Sequence, residues 1–189
     1  MVLAPPPEAT GIRVHGLPSG VPAPPLDLPA TPDGRRLSLS AFAGAPLVIV
    51  FYPADFTPVC AGEIGLFNEL LPEIGRLGAR VVGISVDSIS THTAFAEELH
   101  VQIPLLADFH PKGEVARRYN VYREEEGFSE RALFVVDGGG VIFWSHVSPI
   151  ELNPGAAGVL DALERLTGKS LEEAEASSPL AAPDAEARP

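Results

Sequence analysis

Cys60 is the single cysteine of this 189-residue sequence and its strongest candidate nucleophile. Thiolates react and thiols do not, and a free cysteine with a pKa of about 8.5 is only a few per cent ionised at neutral pH. Where Cys60 falls in the chain therefore matters. It closes the run Phe51-Tyr52-Pro53-Ala54-Asp55-Phe56-Thr57-Pro58-Val59-Cys60. Thr57 is a candidate N-cap and Pro58 suits the first position of a helix, which puts Cys60 in the first helical turn. Unpaired backbone N–H groups and the positive end of the helix dipole gather there, and both favour a thiolate. One helix terminus contributes about 0.3–2 kcal/mol, whereas lowering a thiol to a pKa of about 6 takes roughly 3.4 kcal/mol. A nearby cation is needed as well. Arginine suits best, because it keeps its charge and donates through a planar fork. Position alone leaves burial as a small hydrophobe equally open.

The elements that must position Cys60 are legible around it. Leu47 to Tyr52 is a continuous apolar run stopped by Pro53, the pattern of a strand buried on both faces. Cys60, Ile64, Phe67, Leu71 and Ile74 then recur at helical spacing along one stripe, with Pro72 kinking or closing the helix. Further strands are expected over 79–86 and 103–107, and helices over 90–99 and 112–119. Residues 131–137 and 141–147 read as two strands joined by Gly138-Gly139-Gly140 in a tight hairpin. A last amphipathic helix runs over 155–166 and stops at Gly168. Helical crossovers between parallel strands, followed by an antiparallel pair, make an α/β protein with a central mixed β-sheet flanked by helices.

Composition bounds the rest. The domain is expected over 21–168, between a proline-rich, flexible N-terminal arm (1–20) and a disordered acidic tail (169–189). With 13 basic and 25 acidic residues the net charge is −12, which argues against nucleic acid or an anionic membrane as partner. No apolar run is long enough for a membrane helix, and the N-terminus does not read as a secretory signal. One cysteine fits a reducing cytoplasm and leaves no CxxC pair or cysteine-rich zinc site. His15, His92, His100, His110 and His146 show no ligand spacing. The triple glycine lacks the lysine and following helix of a phosphate loop. Arg117 and Arg118 read as a charged helix face, Glu124 to Glu126 as a solvated loop, and Phe143 and Trp144 as core or subunit packing.

The segment ending at Cys60 resembles the active-site motif of the peroxiredoxin family (the alkyl hydroperoxide reductase and thiol-specific antioxidant superfamily). That motif is proline, three residues, threonine, two residues, cysteine. Glu63 stands where an acid is common after the cysteine. Arg131 to Asp137 resembles the strand that opens with the family's active-site arginine, and the likeness covers roughly residues 22–167. It implies a thioredoxin-like fold and a thiol peroxidase that needs no cofactor. In that reading the Cys60 thiolate takes an oxygen from a hydroperoxide and becomes a sulfenic acid. Arg131 stabilises the thiolate and the charge moving along the O–O bond. Thr57 hydrogen-bonds the peroxide, Pro53 shields the pocket, and Glu63 orients an arginine.

Many members carry a resolving cysteine, five residues on or near the C-terminus. Here the first position is Gly65, and no second cysteine follows. The Cys-Ala-Gly-Glu-Ile phrase is similar to that of bacterial one-cysteine members of the alkyl hydroperoxide reductase E-like or bacterioferritin-comigratory-protein-like groups. The resemblance then implies an external thiol reductant (thioredoxin, a glutaredoxin-like protein or a low-molecular-weight thiol) and a homodimer. The sequence also lacks the Gly-Gly-Leu-Gly insert and Tyr-Phe tail of overoxidation-sensitive members, so resistance to excess peroxide is expected. The competing reading is a redox-sensing or non-catalytic thioredoxin-fold protein. The pair Thr57 and Arg131 separates the two, since turnover needs donors to both peroxide oxygens.

Overall fold

A computed structural model describes residues 16–171. The chain enters through β1 (Asp27–Pro29) and β2 (Arg36–Ser38), a short antiparallel pair, and a 3-10 turn over Leu39–Phe42. It continues through β3 (Leu47–Phe51), α1 (Pro58–Glu69), α2 (Leu71–Arg76), β4 (Arg80–Ser85), α3 (Ile89–Leu99) and β5 (Leu105–Ala107). Next come α4 (Glu114–Arg118), a small hairpin of β6 (Tyr122–Arg123) and β7 (Phe128–Ser129), then β8 (Arg131–Val136), β9 (Ile142–Ser148) and α5 (Ala157–Thr167). Five strands form the main sheet in the order β5-β4-β3-β8-β9. β4 runs parallel to β3 and β5, whereas β8 runs antiparallel to β3 and β9. This is the mixed sheet expected from the element order.

β3 is central and wholly buried, and its pleat divides the core in two. Leu47, Ile49 and Phe51 face a cluster with Phe134, Tyr119, Val115 and the 23–42 segment. Val48, Val50 and Tyr52 face another with Ile64, Phe67, Phe95, Val159 and Leu163, under α1, α3 and α5. Each such side chain contributes about 1.5–3 kcal/mol on burial. Gly83 on β4 admits the helix layer closely: a Cβ there would lie 2.8 Å from Leu105, and 3.2 Å from both Ile64 and Tyr52.

Where details differ from expectation, tertiary contacts explain why. The apolar stripe is divided between α1 and α2 at Leu70, with Pro72 in the first turn of α2, where its missing N–H costs nothing. The stripe also buries an acid, Glu63, together with Cys60, Ile64 and Phe67. In the 138–140 hairpin, Asp137 Oδ1 accepts from the Gly139 and Val141 N–H groups (2.9 and 2.8 Å). Val141 forms a bridge with Pro22, outside β9. Within the expected arm, Leu17 N donates to Tyr119 O (3.2 Å) and Gly20 N to Ile142 O (2.7 Å). Near the other end, Leu171 N donates to Glu164 Oε1 (2.8 Å). Most of the expected arm and tail, 1–15 and 172–189, lies outside the described residues.

Candidate active site

The candidate site lies where β3 ends and α1 begins. Pro53 is buried just past the strand, and the chain turns through Ala54, Asp55 and Phe56 before Thr57. Phe56 has φ +57°, a left-handed conformation that is rare and costly for a bulky side chain. Thr57 holds the N-cap position in extended conformation, but its hydroxyl donates to the Ala54 carbonyl (3.3 Å) rather than capping the helix. That corrects the expectation of a Thr57 side-chain cap. The rotamer that aims the hydroxyl at the carbonyl three residues back leaves its oxygen without a helix N–H to accept from.

Cys60 is the third residue of α1 and is fully buried. Its Sγ lies 3.4 Å from Nη2 of Arg131, the first residue of β8. Sheet register produces this meeting. Ala132 pairs with Phe51, so Arg131 enters beside the point where β3 gives way to the Cys60 loop. The guanidinium is 1% exposed, so its donors must find partners inside the protein. Nε and Nη2 donate to the Ile150 carbonyl at 3.0 and 2.9 Å, and Nη1 donates to Glu63 Oε2. The same Nη2 therefore serves both the carbonyl and the sulfur. Cys60 also packs in the apolar cluster under α1, and what sets it apart from a packing cysteine is the cation beside its sulfur. Burying a cation costs several kcal/mol before its partners repay it, so this placement argues for a chemical use.

Glu63 follows Cys60 by three residues and shares its helix face. Its Oε1 has no hydrogen-bond partner among the described residues. Burial pushes its carboxyl from the ordinary 4.5 up to about 7, although Arg131 pulls the other way. Between those values the folded protein holds a proton that the unfolded chain has released. Stability therefore falls as pH rises through this window and levels off above it, a contribution of about 3 kcal/mol. Glu63→Gln is expected to remove that slope, so the stability difference between variant and wild type should change across pH 4.5–7. Urea unfolding at a series of pH values measures it; parallel profiles for the two proteins would refute the assignment.

Pro53, Thr57, Cys60, Glu63 and Arg131 thus all lie on the loop–α1 segment or on the strand beside it. Two contributors escaped the sequence reading. Ile150 acts through its backbone carbonyl, which leaves no trace in residue type. His92 is buried on α3 with Asp55 and Tyr52; its place three residues before the core residue Phe95 was the available signal. Among the described residues no cluster of three or more His, Cys, Asp or Glu could hold a metal ion. No helix there is long and apolar enough to cross a membrane.

Residues 19–145 match the model of the AhpC/TSA family. Peroxiredoxin-2 of Bos taurus is 40% identical over 132 residues, covering 65% of this chain and 65% of that protein. The chain thus aligns with slightly under two thirds of that relative's length. Among solved structures, the peroxidoxin BcpB of Mycobacterium tuberculosis superposes with a TM-score of 0.70 at 31% identity, covering 80% of this chain and 97% of that one. AhpC of Enterococcus faecalis superposes with a TM-score of 0.73 at 29% identity, covering 80% and 92%.

Proposed function

Since the chain belongs to the AhpC/TSA family, we propose that it is a thiol peroxidase that reduces hydrogen peroxide or organic hydroperoxides through a sulfenic acid at Cys60. The observation that carries this reading is the Arg131 guanidinium, buried and held by Ile150 and Glu63, 3.4 Å from the Cys60 sulfur. The thiolate attacks the terminal peroxide oxygen. An S–O bond forms, the O–O bond breaks, and the departing oxygen takes a proton to leave as water or an alcohol. Arg131 stabilises the thiolate at the start and the negative charge on the peroxide oxygens as the bond breaks.

Thr57 lies three residues before Cys60, where α1 begins, and its hydroxyl is held only by a long bond to Ala54 (3.3 Å). In this reading the hydroxyl turns to the peroxide. Pro53 keeps water from the thiolate, and Glu63 holds Arg131 on line. Thr57→Val, nearly isosteric, is expected to slow the peroxide reaction about 10²-fold, the usual cost of one lost donor at developing charge. Stopped-flow rates over a range of peroxide concentrations give the value, and a rate equal to wild type would remove Thr57 from the mechanism.

With one cysteine in the sequence, the sulfenic acid needs an external thiol. That thiol condenses with the sulfenic acid, releasing water and forming a mixed disulfide. A second thiol frees Cys60 by exchange. Thioredoxin, a glutaredoxin-like protein and a low-molecular-weight thiol are the candidate reductants, in a cytoplasmic homodimer. Slow conversion to sulfinic acid under excess peroxide belongs to the same reading, and rapid conversion at sub-millimolar peroxide counts against that part.

The test mixes reduced protein with one equivalent of hydrogen peroxide, quenches it at intervals and weighs it intact. A fast second-order gain of one oxygen, reversed by added thiol, is the expected result. A rate no higher than that of free cysteine would replace the peroxidase reading with a sensing or packing role for Cys60.

A further inference from the structure

The Cys60–Arg131 chemistry makes no use of a second buried polar cluster, which includes Asp55 of the 53–57 loop itself. Tyr52 Oη donates to Asp55 Oδ1 at 2.8 Å, and Asp55 Oδ2 lies 2.8 Å from His92 Nδ1. The other ring nitrogen, His92 Nε2, faces the Leu106 carbonyl at 3.2 Å. Tyr52 and His92 are fully buried and Asp55 nearly so. A carbonyl oxygen can only accept, so Nε2 carries a proton. A second proton must then lie between Nδ1 and Oδ2, since a ring lone pair facing a carboxylate lone pair would repel it. Asp55 is also tied through its backbone, its N–H donating to Asp87 Oδ2 (2.9 Å), which Ser85 Oγ holds in turn (2.7 Å).

These bonds fasten one residue, Asp55, to the ends of β3, β4 and β5 and to α3. The next residue is Phe56 with its left-handed backbone, and the one after is Thr57. Phe56 packs its ring against Phe95 of α3, with centroids 5.2 Å apart. A strained residue persists only where its surroundings over-determine it. A buried ionisable pair gives little stability over an apolar replacement, so its use here lies in fixing a geometry.

We propose that Asp55 and His92 are positioning residues for the peroxide reaction, a buried clamp that holds the 53–57 loop so that Thr57 meets the substrate in line with Cys60. This rests on the peroxidase reading above. It makes a distinction that a general structural role does not. Alkylation by iodoacetamide needs the thiolate, which Arg131 supports, but needs no donor from the loop. Reaction with peroxide needs both.

Asp55→Ala and His92→Leu are therefore expected to lower the second-order rate with hydrogen peroxide about 100-fold while the iodoacetamide rate stays within about two-fold of wild type, since small misplacements of reacting groups cost rate on that scale. Asp55→Asn should restore the peroxide rate. Its amide oxygen can accept from Tyr52, its amide N–H can donate to Nδ1, and Nε2–H stays on Leu106, so every bond of the clamp is kept without the shared proton. Should the first two variants fail to fold, Tyr52→Phe removes a single hydroxyl from the clamp at constant shape and is expected to lower the peroxide rate alone. Peroxide rates unchanged in the clamp variants would overturn the proposal, as would peroxide and alkylation rates falling in parallel, or Asp55→Asn failing where it folds. A wild-type protein no faster with peroxide than free cysteine would overturn the peroxidase reading and the clamp with it. Wild-type speed in both protein forms would overturn the clamp alone.

Discussion

Arg131→Ala is expected to slow the reaction of Cys60 with hydrogen peroxide by about 10²–10³-fold, the usual effect of removing a preorganised donor from developing charge. The same substitution should destabilise the protein, because it leaves the buried Glu63 carboxyl and Ile150 carbonyl without their donor, at about 1–3 kcal/mol for each group left unsatisfied. Both effects follow from one side chain serving three neighbours: the Cys60 sulfur, the Glu63 carboxylate and the Ile150 carbonyl. Once the cation is gone, nothing in the pair opposes the burial of Glu63, so its carboxyl holds its proton to still higher pH. Arg131→Lys separates charge from geometry. An ammonium keeps the positive charge but lacks the planar fork that reaches carbonyl, carboxylate and sulfur together, so its rate should fall between alanine and wild type. Stopped-flow rates and urea unfolding of the three proteins are the measurements. A rate in Arg131→Ala within a few-fold of wild type would mean that the helix terminus alone activates Cys60.

Cys60→Ser is expected to abolish the reaction altogether. A serine hydroxyl at neutral pH is not ionised and does not attack a peroxide oxygen, and the sequence contains no other thiol to take over. The remaining sulfur is that of Met1, whose sulfoxide would appear slowly and equally in both proteins. Intact mass after one equivalent of peroxide should therefore show a prompt oxygen gain in wild type and none in the variant. The substitution changes volume little at a fully buried position, so the fold should survive and the loss should be purely chemical. A prompt gain persisting in Cys60→Ser would place the peroxide chemistry elsewhere and remove the basis of the proposed mechanism.

Pro53, Thr57 and Cys60 were legible together because they occupy one strand–loop–helix segment, where an apolar run, a proline and a helix start are written in adjacent residues. The same locality made β3, the α1 stripe and the 138–140 hairpin readable: periodicity and turn chemistry act over a few residues. Glu63 was nominated by family likeness, but its burial was not legible, because a glutamate on an apolar stripe acquires its partner from another strand. Arg131 stands 71 residues beyond Cys60. Residue type and family likeness nominated it, while the antiparallel register of β8 on β3 brings it to the sulfur. The Ile150 carbonyl that holds it is backbone, which any residue could supply. The meeting of Tyr52 and Asp55 with His92 has the same origin, because it joins segments about 40 residues apart in the chain. The β1–β2 pairing and the turn of the Thr57 hydroxyl to Ala54 are local, but residue type there permits more than one arrangement. The sequence by itself determined the candidate nucleophile and the element that presents it, because those are local. Only the tertiary structure decided what surrounds that group, because burial and strand register are properties of the packed whole.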